Sequence, residues 1–153
     1  SSITASGTVG AAYEAAAAGI RALAASKETH PDAFLEHGEE DWTAAAHFVR
    51  LFAERLLQAD LPHDVDVLKL DVPDDATPAT PWRLTRQSRQ RYFVRHVENP
   101  HPGTTLGEGS VTVEVDEGAI EAGSDVHALR SRAVSVTPLS LDATSRTDFE
   151  SYA

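Results

Sequence analysis

The chain has 153 residues, 24 acidic against 13 basic side chains, a formal charge of −11 and no cysteine. Disulfides and cysteine-based metal or redox sites are excluded, and so acidic a surface repels nucleic-acid backbones and anionic membranes. The length suits one domain with a sizeable core. No apolar run approaches a membrane span, and the polar start at Ser1 lacks the pattern of a signal peptide, so a cytoplasmic protein is expected.

The segment Ala5-Ser6-Gly7-Thr8-Val9-Gly10-Ala11-Ala12 runs directly into Tyr13-Glu14-Ala15-Ala16-Ala17-Ala18-Gly19-Ile20. Alanine is the best helix former and no proline interrupts, which predicts a helix from about Thr8 to Ala18 with Gly19 as its stop. Ser6 or Thr8 is a natural N-cap, with Gly7 permitting a close approach. Such a turn presents backbone N–H groups and the positive end of the helix dipole to an anion. Ser6, Gly7 and Thr8 are therefore candidate phosphate-binding residues. The same residues also describe an ordinary capped helix packed through small side chains, and the segment alone leaves both readings open.

Arg21 to Ser26 is short and weakly apolar, with alanines that favour helix. His30 to Glu40 reads as a polar loop holding Pro31 and Gly38, with Phe34 and Leu35 tucked inward. Asp41 is placed to cap a helix from Trp42 to about Ala59. Ala45, Phe48, Val49, Phe52 and Leu56 follow the 3.6 period as its buried stripe, begun by Trp42. Arg50, Glu54, Arg55 and Gln58 face solvent, and His47, beside the stripe, is read as structural. Leu61-Pro62 follows the helix, and Val65, Val67, Leu68, Leu70 and Val72 form a strand stopped by Pro73. A helix between strands points to a βαβ unit and a parallel sheet.

Asp74 to Pro81 is a proline-rich loop, and Trp82 to Arg86 a short strand. Alternation over Tyr92 to Val97 and over Val111 to Val115 then predicts an antiparallel hairpin, joined by the loop Glu98 to Ser110. A hairpin alone is marginal and needs cover from this subunit or a neighbour. Asp125 to Leu129 is a short helix or turn, Ala133 to Leu139 a strand ended by Pro138, and Ser145 to Ala153 a tail whose Phe149 and Tyr152 need apolar cover.

Catalytic clusters are scarce. His30, Asp32, Glu36, His37 and Glu39 match no ligand spacing and read as a solvated loop. His96 and His101 flank the hairpin loop and are expected to be exposed. G-x-S-x-G does not occur, and spacing alone defines no Ser-His-Asp triad.

The SGTVGAA segment, an acidic residue and the small-residue run together resemble the central signature of the SurE survival-protein family of nucleotidases. Leu68-Lys69-Leu70-Asp71-Val72-Pro73 is similar to the family's hydrophobic strand followed by Asn or Asp and Val-Pro. Val134-Ser135-Val136-Thr137-Pro138-Leu139, followed by Ser140-Leu141-Asp142-Ala143-Thr144, is similar to its VSVTPL…DLT tail. Weaker matches are Leu84-Thr85-Arg86, Arg91-Tyr92 and Gly123 to Leu129. Thr144 is followed by Ser145, so the family's tail histidine has no counterpart there.

The resemblance implies the C-terminal part of a three-layer α/β/α Rossmann-like fold, with Arg21 to Ser26 as a sheet strand. It also implies segments at 1–89 (core), 90–116 (a β-hairpin oligomerisation arm) and 117–153 (return strand and tail). It implies a 5′/3′-nucleotidase that hydrolyses nucleoside monophosphates with a divalent metal, Mg or Mn, and assembles as a homodimer or homotetramer. The family's metal ligands, an NDDG aspartate pair with a serine and an asparagine, cannot be placed on residues 1–153, and no DDG occurs. The expectation is a phosphate-binding chain that is inactive alone, the alternative being a non-catalytic oligomerisation or anion-binding fragment. High acidity with only Lys27 and Lys69 as lysines also resembles proteins of extreme halophiles, whose carboxylates rely on screening by salt.

Overall fold

A computed structural model describes residues 3–29, 40–90, 93–105, 109–113 and 115–152. The predicted loop around His30, Phe34, Leu35 and His37 and the Arg91-Tyr92 match lie outside the described residues. The first helix, α1, spans Gly7–Ala17 and is capped by Ser6. It ends where expected: Gly19 adopts φ +78°, a conformation that costs glycine little. The chain then reverses into strand β1, Ala22–Lys27. Alanine propensity favoured helix here, but parallel pairing with β2 (Val67–Val72) overrides it, in register from Ala22↔Val67 to Lys27↔Val72. The small side chains have a packing use. Ala22 and Ala24 are buried in one apolar cluster with Val9 and Ala12 of α1, so the helix lies close on the strand.

Helix α2 spans Thr43–Gln58. Ala44, Ala45, Phe48, Phe52 and Leu56 are buried on it, with Val49 packed alongside. Fully burying a side chain such as Phe48 contributes about 1.5–3 kcal/mol. Two details of the predicted helix start are corrected. The helix starts one residue later than expected: the cap position is Trp42, which makes no capping bond, while Asp41, just before it, accepts from the Thr43 N–H at 2.8 Å. Trp42 is 55% exposed and does not begin the buried stripe; being outside the helix, it lies instead under the Lys27 ammonium at 5.7 Å. At the other end the Arg21 guanidinium donates to the carbonyls of Leu56 and, at 3.0 Å, Ala59, satisfying groups that a helix end leaves unpaired.

The remaining elements are β3 (Trp82–Leu84), β4 (Phe93–His96), β5 (Ser110–Val113), α3 (Asp125–Arg130) and β6 (Val134–Leu139). The main sheet has the order β1-β2-β6-β3. β1 and β2 are parallel as predicted, β6 runs antiparallel to β2, and β3 pairs parallel with β6. α2 packs on one face, with Leu70, Val72, Val134 and Val136. α1 and α3 cover the other, giving the three α/β/α layers. Pro138 does not end β6, which continues to Leu139. β3 pairs only with Val134 to Val136, so beyond that point one side of β6 is open and a missing N–H is tolerated.

β4 and β5 form the predicted antiparallel hairpin, shifted slightly, with register Phe93↔Val113 to His96↔Ser110. Its root is tied to the core. The Arg86 N–H donates to the Gly123 carbonyl and the Asp125 N–H to the Arg86 carbonyl, both at 2.9 Å.

Candidate anion-binding turn and the polar layer beside it

α1 ends near the start of β1, so the two run in opposite directions. The N-terminus of α1 therefore lies toward the end of the sheet where the parallel strands finish, the place where open α/β sheets bind ligands. Val9 sits in the cluster of Ala22, Ala24 and Val67. Thr8, Gly7 and Ser6 lie progressively further on, up to a rise of about 4.5 Å at Ser6. That brings them toward the strand-end row of Ser26 on β1, Asp71 on β2 and Ser135 on β6, which are register partners.

Of the two candidate caps, the structure selects Ser6. Its Oγ accepts from the Val9 N–H at 3.2 Å, leaving the hydroxyl hydrogen free to donate. Gly7 and Thr8 are exposed in the first turn, where helix N–H groups have no internal acceptor. A Cβ built on Gly7 would meet nothing within 4 Å. The protein's own packing thus does not demand glycine there, and the space above the amide is open to a ligand.

On the same side of the sheet as α1 lies a buried polar layer that sequence reasoning did not assemble. Lys69, Asp71 and Asp125 are joined through one ammonium: Lys69 Nζ donates to Asp71 and, at 2.9 Å, to Asp125 Oδ2. Asp125 Oδ1 also accepts from the N–H groups of Ser88, at 2.9 Å, and Val126, at 2.8 Å. Ser88 Oγ passes the chain outward to Glu121 Oε2 at 2.7 Å. Next to it, the Thr85 hydroxyl bonds those of Ser135 at 2.8 Å and Thr137 at 2.7 Å, all buried.

The two aspartates titrate in opposite directions. Burial pushes the Asp71 carboxyl above the ordinary range, and the charge and hydrogen bond of Lys69 do not fully offset this. Burial also pushes Asp125 up, but the Lys69 charge and the bonds from Lys69, Ser88 and Val126 outweigh it, leaving Asp125 below the ordinary range. Lys69 is held protonated: burial disfavours its charge, and the two aspartates more than restore it. Lys69 and Asp125 are 56 residues apart, which hides the pair from any local pattern. The available signal was Lys69 itself, a lysine in the middle of an apolar strand, which demands a counter-ion.

Among the described residues the histidines singled out above form no cluster with other ligand-type side chains. His47 stacks edge-on against Phe48 at 5.1 Å, and His96 and His101 are exposed. Asp142 is exposed and accepts from the Thr144 N–H at 2.8 Å. Among the described residues no group of three or more His, Cys, Asp or Glu is placed to share a metal ion. No described helix is long and apolar enough to cross a membrane.

The family model described as Survival protein SurE matches residues 1–94. The chain belongs to the SurE family. It is similar to the 5′-nucleotidase SurE of Thermococcus gammatolerans, with 41% identity over 150 residues that cover 97% of this chain and 56% of that protein. The SurE of Thermococcus kodakarensis is 38% identical over 150 residues, covering 97% and 57%. Among solved structures, the SurE protein from Aquifex aeolicus matches with a TM-score of 0.65 and 25% identity, over 97% of this chain and 57% of that one. This chain thus spans a little over half the length of the SurE relatives it matches.

Proposed function

We propose that the chain supplies the phosphate-gripping part of a SurE-type 5′/3′-nucleotidase acting on nucleoside monophosphates. One observation carries this reading: the Ser6-capped start of α1, open above Gly7, in a chain whose relatives are named 5′-nucleotidases. The Gly7 and Thr8 amides and the Ser6 and Thr8 hydroxyls donate to phosphate oxygens. They orient the ester and stabilise the charge that develops on it. They move no proton and activate no water.

A divalent metal, Mg or Mn, would act as Lewis acid and water activator in such a phosphatase. The described residues do not fit that role, since hard cations need clustered oxygen ligands, no three such side chains are grouped here, and the Asp71–Asp125 pair is already occupied by the Lys69 ammonium. In this reading the metal ligands lie in sequence outside these 153 residues. The same observation favours, as second reading, a non-catalytic anion-binding or oligomerisation fragment. Under the first reading residues 1–89 complete the core, 90–116 form an assembly arm for a homodimer or homotetramer, and 117–153 return to the sheet. The setting is cytoplasmic.

Turnover separates the readings. Residues 1–153 are expected to release no phosphate from AMP with Mg²⁺ or Mn²⁺. A protein of the relatives' full length should release it, and chelator should abolish the release. Metal-dependent turnover by residues 1–153 would overturn the assignment of ligands. The acidic composition adds a halophilic setting to the proposal. The melting temperature should rise with KCl and level off near 1 M, where the Debye length is about 3 Å; a flat or falling curve would contradict it.

A further inference from the structure

Two helices of this protein close with the same turn but with different residues in it. At the end of α1 the Gly19 N–H donates to the Ala16 carbonyl and the Ile20 N–H to the Ala15 carbonyl. At the end of α3 the Arg132 N–H donates to the Leu129 carbonyl and the Ala133 N–H to the Ala128 carbonyl. Such a turn needs a left-handed residue, and glycine is the usual one. Gly19 sits at φ +78° and Arg132 at φ +54°. Glycine takes that conformation at little cost, whereas arginine is strained in it and stays there only where its surroundings hold it.

What holds Arg132 is its side chain. Nε donates to both oxygens of Asp75 at 3.0 Å, Nη1 to Glu28 Oε2 at 3.2 Å, and Nη2 to Asp74. The bond from Arg132 holds the Asp74 carboxyl below its ordinary range. Glu28 directly follows β1, and its N–H carries the pairing on to the Val72 carbonyl at 2.8 Å. Asp74 and Asp75 follow β2 after Pro73. Arg132 lies two residues before β6, which starts where its antiparallel neighbour β2 finishes. One guanidinium thus ties together the ends of three neighbouring strands. They meet at the end of the sheet toward which the N-terminus of α1 also points.

Stability does not account for this strap. All four side chains are partly or largely exposed, and exposed ion pairs return little net stability. A glycine would close α3 without strain. We infer that Arg132 is a positioning residue for a bound nucleotide, its guanidinium fixing the exits of β1 and β2 as one wall of the crevice at the strand ends. The inference rests on the phosphate-gripping reading of the Ser6 turn. Ligands of open α/β sheets lie outside the carboxyl ends of the strands, so a nucleoside whose phosphate is held at Ser6 meets this wall. Arg132 touches no reacting atom; it acts through Glu28 and through the Asp74–Asp75 loop.

Two variants release the strap while shifting charge in opposite directions. Arg132→Gly removes one positive charge, and Asp74→Asn/Asp75→Asn removes two negative ones. Calorimetric titration with AMP and with inorganic phosphate reads both, and the ratio of the two affinities cancels the change of field at the turn. The AMP-to-phosphate ratio should fall by about tenfold in each variant, and little further when they are combined, because both break the same contact. The melting temperature of Arg132→Gly should not fall, since the strained residue is gone, so lost AMP binding there is not lost fold. A ratio unchanged in either variant, with the affinities merely moving in opposite directions, would overturn the proposal and leave the field as the cause. A wild type that binds phosphate but gains nothing from the nucleoside would overturn this inference alone. A wild type that binds no phosphate would remove the reading of the Ser6 turn together with it.

Discussion

The two faces of the central sheet are held by different means. Against α2 the sheet presents Leu70, Val72, Val134 and Val136 to Phe48 and Phe52, and area removed from water does the work. On the other face α1 rests on an apolar patch of Ala22, Ala24 and Val67, but beside α3 alternate residues of the same strands present Lys69, Asp71, Ser135 and Thr137, all but Asp71 buried, closed by hydrogen bonds and one shared ammonium. An apolar face tolerates sliding and repacking of similar volumes. A polar one stays buried only while each partner is in place. The polar layer is also the part that meets the root of the hairpin, through Ser88 and Arg86, where position matters most.

The comparison breaks most visibly at Asp125. Asp125→Ala leaves the Ser88 and Val126 amides without an acceptor and Lys69 with Asp71 alone, and should cost about 3–5 kcal/mol. Phe48→Ala on the opposite face should cost a similar amount, about 3–5 kcal/mol, through a cavity. Urea unfolding measures both, and pH tells them apart. Because Asp125 has a lowered pKa in the folded state, its contribution is present above the ordinary carboxylate range and lost as pH falls through the folded value. The loss from Asp125→Ala should therefore shrink in acid, while that from Phe48→Ala should not.

On the α1 side of the sheet Ser6→Ala should cost about 1 kcal/mol, the usual value of an N-cap. A thermal melt unchanged within error would show that the cap bond contributes nothing. The smallest effect has the opposite sign. Asp71 has a raised folded pKa, so its contribution is present at low pH and lost as pH rises through that value. Asp71→Asn keeps the shape and removes the titration. It should stabilise the protein slightly at neutral and alkaline pH and leave it unchanged in acid; uniform destabilisation across pH would contradict the assigned shift.

The apolar face was the legible one. The stripe Ala45, Phe48, Val49, Phe52 and Leu56 repeats at the helical period, and a local pattern suffices to find it. β1 could not be read from its alanines, because its partner β2 begins 45 residues after it in sequence, at Val67 against Ala22. The resemblance to SurE placed that strand where propensity did not. Pro138 misled because proline stops a strand only where its N–H is needed. The Ser6 turn was legible as a cap, whereas Lys69, Asp71 and Asp125 were seen only as pieces of motifs, since their meeting depends on the fold that brings α3 onto β2.

The central claim is that the start of α1 grips phosphate, and calorimetric titration of inorganic phosphate tests it most directly. Thr8→Val removes one hydroxyl donor with little change of shape, and should weaken binding by about 1–3 kcal/mol without lowering the melting temperature. Phosphate affinity unchanged in both Thr8→Val and Ser6→Ala would contradict the account.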